Sequence, residues 1–345
     1  MDCIKSLNHD QLCAYIVELK QPSFRVKQLE KWLYEQHVSS FDEMSNLPNS
    51  MREVLASRYR ISMPSIAAKQ VSVDGTRKYL IEFDDGVCVE TVGIPSTDGS
   101  RLTVCISSQA GCAMGCIFCA TGHGGFTRNL TVGEIFDQVK LVEDDFSRRV
   151  SNVVVMGQGE PFANYDATLG AVKYLNSPVG MNIGARHITI SSCGIIKGIE
   201  KFSQESEQFT LAISLHSAIQ STRDYLMPGV SNVALDELKE SLKVYGDTTK
   251  RRPSLEYALI ADVNDDERHL DALIDFCKGM LCHVNLIPLN PINSNLDNPN
   301  LMEPSSKIKH FESSLNRAGI EVSIRSSRGS DIDGACGQLK QRLNK

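Results

Sequence analysis

The sequence predicts an α/β protein: a partial (βα)6 barrel preceded by a small N-terminal helical domain and a β-hairpin extension. Three observations lead there. Short apolar runs alternate with amphipathic helical segments from about residue 98 to 330, and repeated βα units imply a parallel sheet with helices outside it. Residues before about 62 carry helical spacing, whereas residues 66–95 alternate with period two. No glycine-rich dinucleotide turn opens the first βα unit, which favours an incomplete barrel over a Rossmann arrangement.

Residues 1–62 form the predicted helical domain. Phe24, Gln28, Leu29, Trp32 and Leu33 share helical spacing, Ser40–Met44 opens a short helix, and Ser50–Tyr59 makes another. Eight Lys/Arg balance eight Asp/Glu here, so the segment reads as a neutral bundle packed on the main domain. In the linker 63–97, Tyr79–Phe83 and Val87–Val92 are strand-like and are split by Asp84-Asp85-Gly86, a hairpin turn that delivers Glu90 to the start of the next domain. The core, 98–332, has strands at Leu102–Ile106, Asn152–Met156, His187–Ser191, Thr210–Leu215, Leu255–Ile260, His283–Ile287 and Glu321–Arg325. Helices are expected at Thr131–Asp145, Leu235–Val244, Glu267–Lys278 and Ser305–Ala318, the first opened by a Thr131-x-x-Glu134 capping box. Such barrels place their chemistry at the C-terminal ends of the strands. Residues 333–345 form a tail.

Composition narrows the function. No run of eighteen apolar residues is present, so no transmembrane helix is expected, and Met1–Lys5 begins no signal peptide. Eleven cysteines scattered along the chain suit a reducing cytoplasm better than a disulfide framework; Cys13, Cys193 and Cys277 read as small buried hydrophobes. A net charge of −6 does not advertise nucleic-acid binding. The local basic groups Lys250–Arg252, Arg325 with Arg328, and Lys340, Arg342 and Lys345 read by charge alone as solvated faces.

The loop after the first barrel strand carries Cys112, Cys116 and Cys119 at C-x3-C-x2-C. Three thiolates can hold three irons of a 4Fe–4S cluster, and with no fourth cysteine nearby one iron stays open to chelate an amino and a carboxylate group, as S-adenosylmethionine (SAM) presents. Structural zinc would ask for a fourth ligand, and no second C-x-x-C pair appears. One βα unit on, the strand Val153–Met156 ends in Gly157-Gln158-Gly159-Glu160-Pro161, where glycine lets backbone approach a ligand and Glu160 can accept from an ammonium. Ser191, Ser214 with Leu215 and His216, and Asn290 end later strands around the same mouth. Near the C-terminus, Cys336 stands alone in a polar, glycine-bearing loop and reads as reactive, with Cys105 a candidate partner across the mouth.

Together these segments resemble the RlmN/Cfr family of radical SAM RNA adenine methyltransferases. The match runs through Phe24–Leu47, Val89–Val92, Cys105–Cys112, the cluster run, Asn129–Ile135, Met156–Pro161, Ile213–His216, Asn285–Pro291 and Asp331–Leu339. The resemblance implies a radical SAM barrel, an RNA-contacting N-terminal domain, a 4Fe–4S cluster on Cys112, Cys116 and Cys119, and two SAM molecules per turnover. It implies SAM contacts at Gly159, Glu160, Ser191, Ser214, Leu215, His216 and Asn290. Cys336 takes a methyl group from one SAM, and a second SAM at the open iron supplies the radical that activates that methyl for addition to adenine. Glu90 then removes the ring proton, Met156 assists the intermediate, and Cys105 releases the RNA through a transient Cys105–Cys336 disulfide.

The implied substrate is 23S rRNA, with tRNA as a second, and the implied electron donor is a flavodoxin or ferredoxin. A cytoplasmic monomer is expected. Pro161 resembles the members that modify carbon 2 of adenosine and Thr121-Gly122 those that modify carbon 8; carbon 2 is favoured. Gln158, Ser192-Cys193 and Gly334 depart from the family pattern, at positions expected to touch none of the reacting groups. The competing readings are a radical SAM enzyme acting on a protein or small molecule, which leaves Cys105, Glu90 and Cys336 without purpose, and a non-catalytic metal-stabilised binding protein.

Overall fold

The structure, a computed structural model, describes residues 1–290 and 302–339. Pro291 of the Leu289-Asn290-Pro291 run and the basic residues Lys340, Arg342 and Lys345 lie outside the described residues.

Ten strands build one mixed sheet: β1 (Ser65–Val71), β2 (Arg77–Glu82), β3 (Cys88–Pro95), β4 (Leu102–Cys105), β5 (Asn152–Val155), β6 (Ile188–Ser192), β7 (Thr210–Ser214), β8 (Ser254–Leu259), β9 (His283–Pro288) and β10 (Glu321–Ile324). Their spatial order is their chain order, so each crossover helix returns the chain to the next free edge and the sheet stays open between β1 and β10. Strands β1 to β4 pair antiparallel. From β4 to β10 every pairing is parallel. The seven parallel strands are those the apolar runs predict, each end within one residue.

The hairpin is continuous with this sheet. Gly86, at φ 77°, closes the turn and its N–H bonds to the Phe83 carbonyl. The outer half of β3, Val92–Pro95, then pairs with Leu102–Cys105, which makes β1–β3 the antiparallel flank of the barrel. That register sets Cys105 opposite Val92 on one side and Val154 on the other.

The Thr131 capping box is present: its side chain accepts from the Glu134 N–H at 3.3 Å, and Glu134 accepts from the Thr131 N–H at 2.8 Å. The helix it opens, Val132–Phe146, buries Ile135, Phe136, Val139 and Val142 at three- and four-residue spacing. Near the N-terminus, helix Phe24–Glu30 runs on into a π turn through Glu35, and Asn49–Arg58 forms a further helix. A helix at His9–Glu18 precedes them, capped by Asn8. This region docks on the Val132–Phe146 helix through a buried Lys5–Asp137 ion pair, and on the following helix, Tyr165–Asn176, through Tyr34, whose ring stacks on Tyr174 with centroids 3.8 Å apart. One apolar core runs from Leu12 to Phe311 without a break.

Candidate active site

A cavity opens at the C-terminal ends of the parallel strands. Cys112, Cys116 and Cys119 form one wall. Gly159, Glu160, Ser191, Ser214, His216 and Asn290 face them, and Met156, Arg325 and Cys336 close one end. Three expected residues do not line it: Glu90, Cys105 and Leu215. Glu90 and Cys105 are buried, Cys105 packing on Met156 and Leu339 of the lining, and Leu215 is core (0 % exposed).

The cysteine loop is shaped by close backbone packing. A Cβ on Gly111 (φ 75°) would collide with the Gly125 carbonyl, and one on Gly122 would press within 2.9 Å of the Cys116 nitrogen. A two-strand ribbon, Gln109–Gly111 with Phe126–Asn129, frames the loop and was not predicted. Backbone N–H groups of Met114 and Gly159 point at the Cys112 sulfur, and those of Thr121 and Gly122 at Cys119. Burial pushes the Cys112 thiol up to about 11 and raises Cys116 and Cys119 as well. A bound cation reverses that balance and holds the thiolate. Among the described residues no three thiols, imidazoles or carboxylates close on a single ion. Three thiols lining one cavity, with backbone N–H donors at Cys112 and Cys119, would hold a 4Fe–4S cluster.

Opposite the loop, Gly159 (φ 98°) has no room for a side chain, because a Cβ would meet Gln109 at 2.6 Å. The next residue, Glu160, is buried. Burial raises its pKa, but its carboxylate accepts from the Phe162 N–H at 2.9 Å and the Cys193 N–H at 2.7 Å. The Cys193 and Ser192 side chains also hydrogen-bond to it, so about four acceptor positions are taken and a ligand ammonium would displace one of these side-chain donors. His216 takes a left-handed backbone (φ 54°), and its Nδ1 accepts from the Ala258 N–H at 3.0 Å. Burial, with the Arg223 charge adding, drops its pKa to about 3, so the ring is neutral. A neutral imidazole whose Nδ1 accepts carries its proton on Nε2, which gives the cavity a fixed donor.

At the far end, the C-terminal segment is laced to three elements. The Asn290 amide donates to the Cys336 carbonyl at 3.2 Å. The Ala120 N–H donates to the Gly337 carbonyl at 2.7 Å, and the Thr121 hydroxyl to the Leu339 carbonyl at 2.6 Å. Asp74, in the β1–β2 turn, binds the Gly329 N–H at 3.0 Å and pairs with Arg328 at 3.0 Å. This sets Cys336, half-buried, within electrostatic reach of both Cys105 and Cys119. Burial first and the Cys336 charge second push Cys105 up to about 12. The Arg325 guanidinium and the Met156 N–H oppose that rise. Cys105 and Cys336 are free thiols here. Glu90 is buried on β3, 3.2 Å from Lys78 Nζ, which also reaches the Asp333 carbonyl at 3.4 Å.

Several residues differ from the sequence reading. Gln158 sits beside Glu90, its side-chain oxygen accepting from the Glu90 backbone N–H at 3.3 Å. Cys193 is buried as expected, yet it lines the cavity and its N–H binds Glu160. Arg325 and Arg328 are only partly exposed and are tied to the protein. Arg325 donates to the Met156 sulfur at 3.3 Å and faces Glu256 at 3.8 Å, while Arg328 bonds to the Asp74 and Pro95 carbonyls. Lys78 and Glu256 were missed: Glu256 is the one charged residue of Ser254–Leu259, a readable signal of a buried polar role, whereas Lys78 shares its strand with Arg77 and Glu82 and gives no such signal.

Comparison with known proteins agrees with this geometry. Residues 4–61 match the family described as "Ribosomal RNA large subunit methyltransferase N-terminal domain", and residues 106–273 match "Radical SAM superfamily". A "Probable dual-specificity RNA methyltransferase RlmN" of Clostridium novyi is 42% identical over 343 residues, 99% of this chain and 98% of that protein. One of the same name from Geobacillus kaustophilus is 44% identical over 345 residues, 99% of this chain and 93% of its own. The crystal structure of a radical SAM methyltransferase from Sphaerobacter thermophilus superposes with a TM-score of 0.87 at 39% identity, covering 99% of each chain. The chain belongs to the RlmN family of radical SAM methyltransferases.

Proposed function

We propose that this protein methylates carbon 2 of an adenosine in 23S rRNA, and of a second adenosine in tRNA, with the methyl group carried on Cys336. The observation that carries the reading is the position of Cys336. It lies on a loop with no catalytic neighbour in sequence, yet it shares one cavity with the three cluster cysteines and is flanked by Met156, Arg325 and Cys105. The names of the relatives, dual-specificity RNA methyltransferases, support an RNA substrate of two kinds.

When bound, the cluster on Cys112, Cys116 and Cys119 and its SAM supply one-electron chemistry and the methyl group. The residues of this chain do the rest. Glu160 receives the ammonium of SAM, while His216 Nε2–H, Ser191, Ser214 and Asn290 orient the ligand across the mouth. Cys336 is a thiol nucleophile held by Asn290 and Ala120 at the cavity end. An electron-poor ring carbon cannot attack SAM directly, which is why the methyl passes through sulfur. Glu90 accepts the ring proton, and Lys78 pairs with its carboxylate in the buried site. Cys105 attacks the Cys336 sulfur to release the product, and Arg325 favours its thiolate form. The reading includes two SAM per turnover, a flavodoxin or ferredoxin donor, and a cytoplasmic monomer.

Nucleoside mass spectrometry of rRNA and tRNA from cells with and without the protein tests this. A gain of 2-methyladenosine in either RNA is expected. A gain of 8-methyladenosine alone would reassign the carbon, and no change in methyladenosine would overturn the reading.

A further inference from the structure

Arg223 lies one layer behind the cavity, in the helix Gln220–Leu226 that follows β7. It is fully buried (0 % exposed). Its Nη1 donates to the carbonyls of Ser214 at 2.9 Å and Leu215 at 2.7 Å and touches the Met227 sulfur at 3.3 Å. Its Nη2 donates to the Cys193 carbonyl at 2.6 Å. Every one of these partners is neutral. Among the described residues Nε has no hydrogen-bond partner. A buried cation without a paired anion carries the desolvation penalty uncompensated. Stable folds therefore bury such a charge against a negative one.

The groups whose charge acts on Arg223 are Cys193 on the β6 loop, Cys116 on the cluster loop and Asp224 beside it in its own helix. Two of the three belong to the cavity wall, and between Arg223 and the cavity stand Cys193, Ser214 and Met227. A 4Fe–4S cluster held by three thiolates carries net negative charge, and more of it when reduced. We infer that Arg223 is the internal counter-charge of this cluster. It is a positioning residue that braces the carbonyl ends of β6 and β7 and keeps a fixed positive charge behind Cys116. This rests on the cluster binding at Cys112, Cys116 and Cys119. A nearby cation stabilises the more negative, reduced state, so its removal makes reduction harder.

The test is an EPR-monitored redox titration of the anaerobically reconstituted full-length protein, with SAM affinity and melting temperature measured alongside. Iron and sulfide content of the unsubstituted protein comes first: a folded protein that takes up no iron overturns the cluster reading itself. Arg223→Gln keeps hydrogen-bond donors and loses the charge; Arg223→Lys keeps the charge and loses the forked grip on three carbonyls. The equilibrium constant for reduction should fall roughly tenfold in the glutamine variant, which is about 59 mV for one electron. It should stay near that of the parent in the lysine variant, even as the melting temperature falls. An unchanged potential in Arg223→Gln, or an equal fall in Arg223→Lys, overturns the inference. Each variant decides alone if the other does not fold.

Discussion

Cys336 and Cys105 act at different stages, so their variants should fail differently. Cys336→Ala is expected to abolish RNA methylation while iron and sulfide content stay at the parent level, because the cluster ligands are three other cysteines. Loss of the cluster in that variant would contradict the role given to Cys336. Cys105→Ala is expected to leave the protein covalently attached to RNA, visible as an RNA-dependent shift in a denaturing gel; free protein turning over normally would remove Cys105 from the reaction. His216 offers a test of protonation. Its folded pKa is held at about 3, below its unfolded value, so the unfolded chain binds the proton more readily. Its contribution to stability is therefore complete above about pH 6.5 and shrinks as pH falls toward 3, by at most about 1.4 kcal/mol per pH unit. Urea denaturation of the apoprotein at pH 7.5 and 5.5 should show that slope, and His216→Asn should flatten it.

Among the elements, the C-terminal segment matters most because it carries the nucleophile without belonging to the sheet. Its hold is polar. Asp331 accepts from the Ser72 hydroxyl at 2.6 Å and the Val73 N–H at 3.2 Å, and Asp74 grips the segment from the same turn. Burial works against the Asp74 charge, but hydrogen bonds from Thr76, Gly329 and Ser72 hold its pKa at about 2. Its contribution is full above the unfolded value near 3.8 and is lost only as pH falls toward 2, so this clamp stays closed at neutral pH. Asp331→Ala should speed amide exchange of residues 328–338 by roughly tenfold and lower methylation while sparing the cluster. Unchanged exchange there would mean that Asp331 adds nothing to the hold of Asp74, Asn290, Ala120 and Thr121 on this segment. The strands and the capped helix were legible beforehand, since β-branched runs such as Asn152–Val155 and the Thr131–Glu134 pair encode their own geometry. The ribbon around the cluster loop was not, because Gln109–Gly111 is too short and polar to signal a strand without its partner.

On the scale of the molecule, the N-terminal helices and the barrel behave as one body. Lys5 and Asp137 are 1 % and 3 % exposed, and Gly133 leaves the space that lets Lys5 reach the helix. Lys5→Ala leaves Asp137 buried with only His37, at 3.1 Å, beside it. It should cost about 3 kcal/mol in urea denaturation. Gly133→Ala should be destabilising at the same interface. A Lys5→Ala protein with unchanged stability would show that this ion pair contributes nothing to joining the two regions.

The cluster cysteines, the parallel strands and the residues at their ends were readable from the chain because each is local. Spacing within a loop fixes a ligand set, and alternation within a segment fixes a strand and the end at which its functional group lies. What only the tertiary structure decided were contacts between residues far apart in sequence: Lys78 on Glu90, Gln158 on the same residue, Arg325 on Met156, Arg223 on the carbonyls of Cys193 and Leu215. No periodicity encodes such pairs. Each became a partner because the sheet brought its strand end to the cavity, where burial demands that every polar group be satisfied by whatever lies nearest.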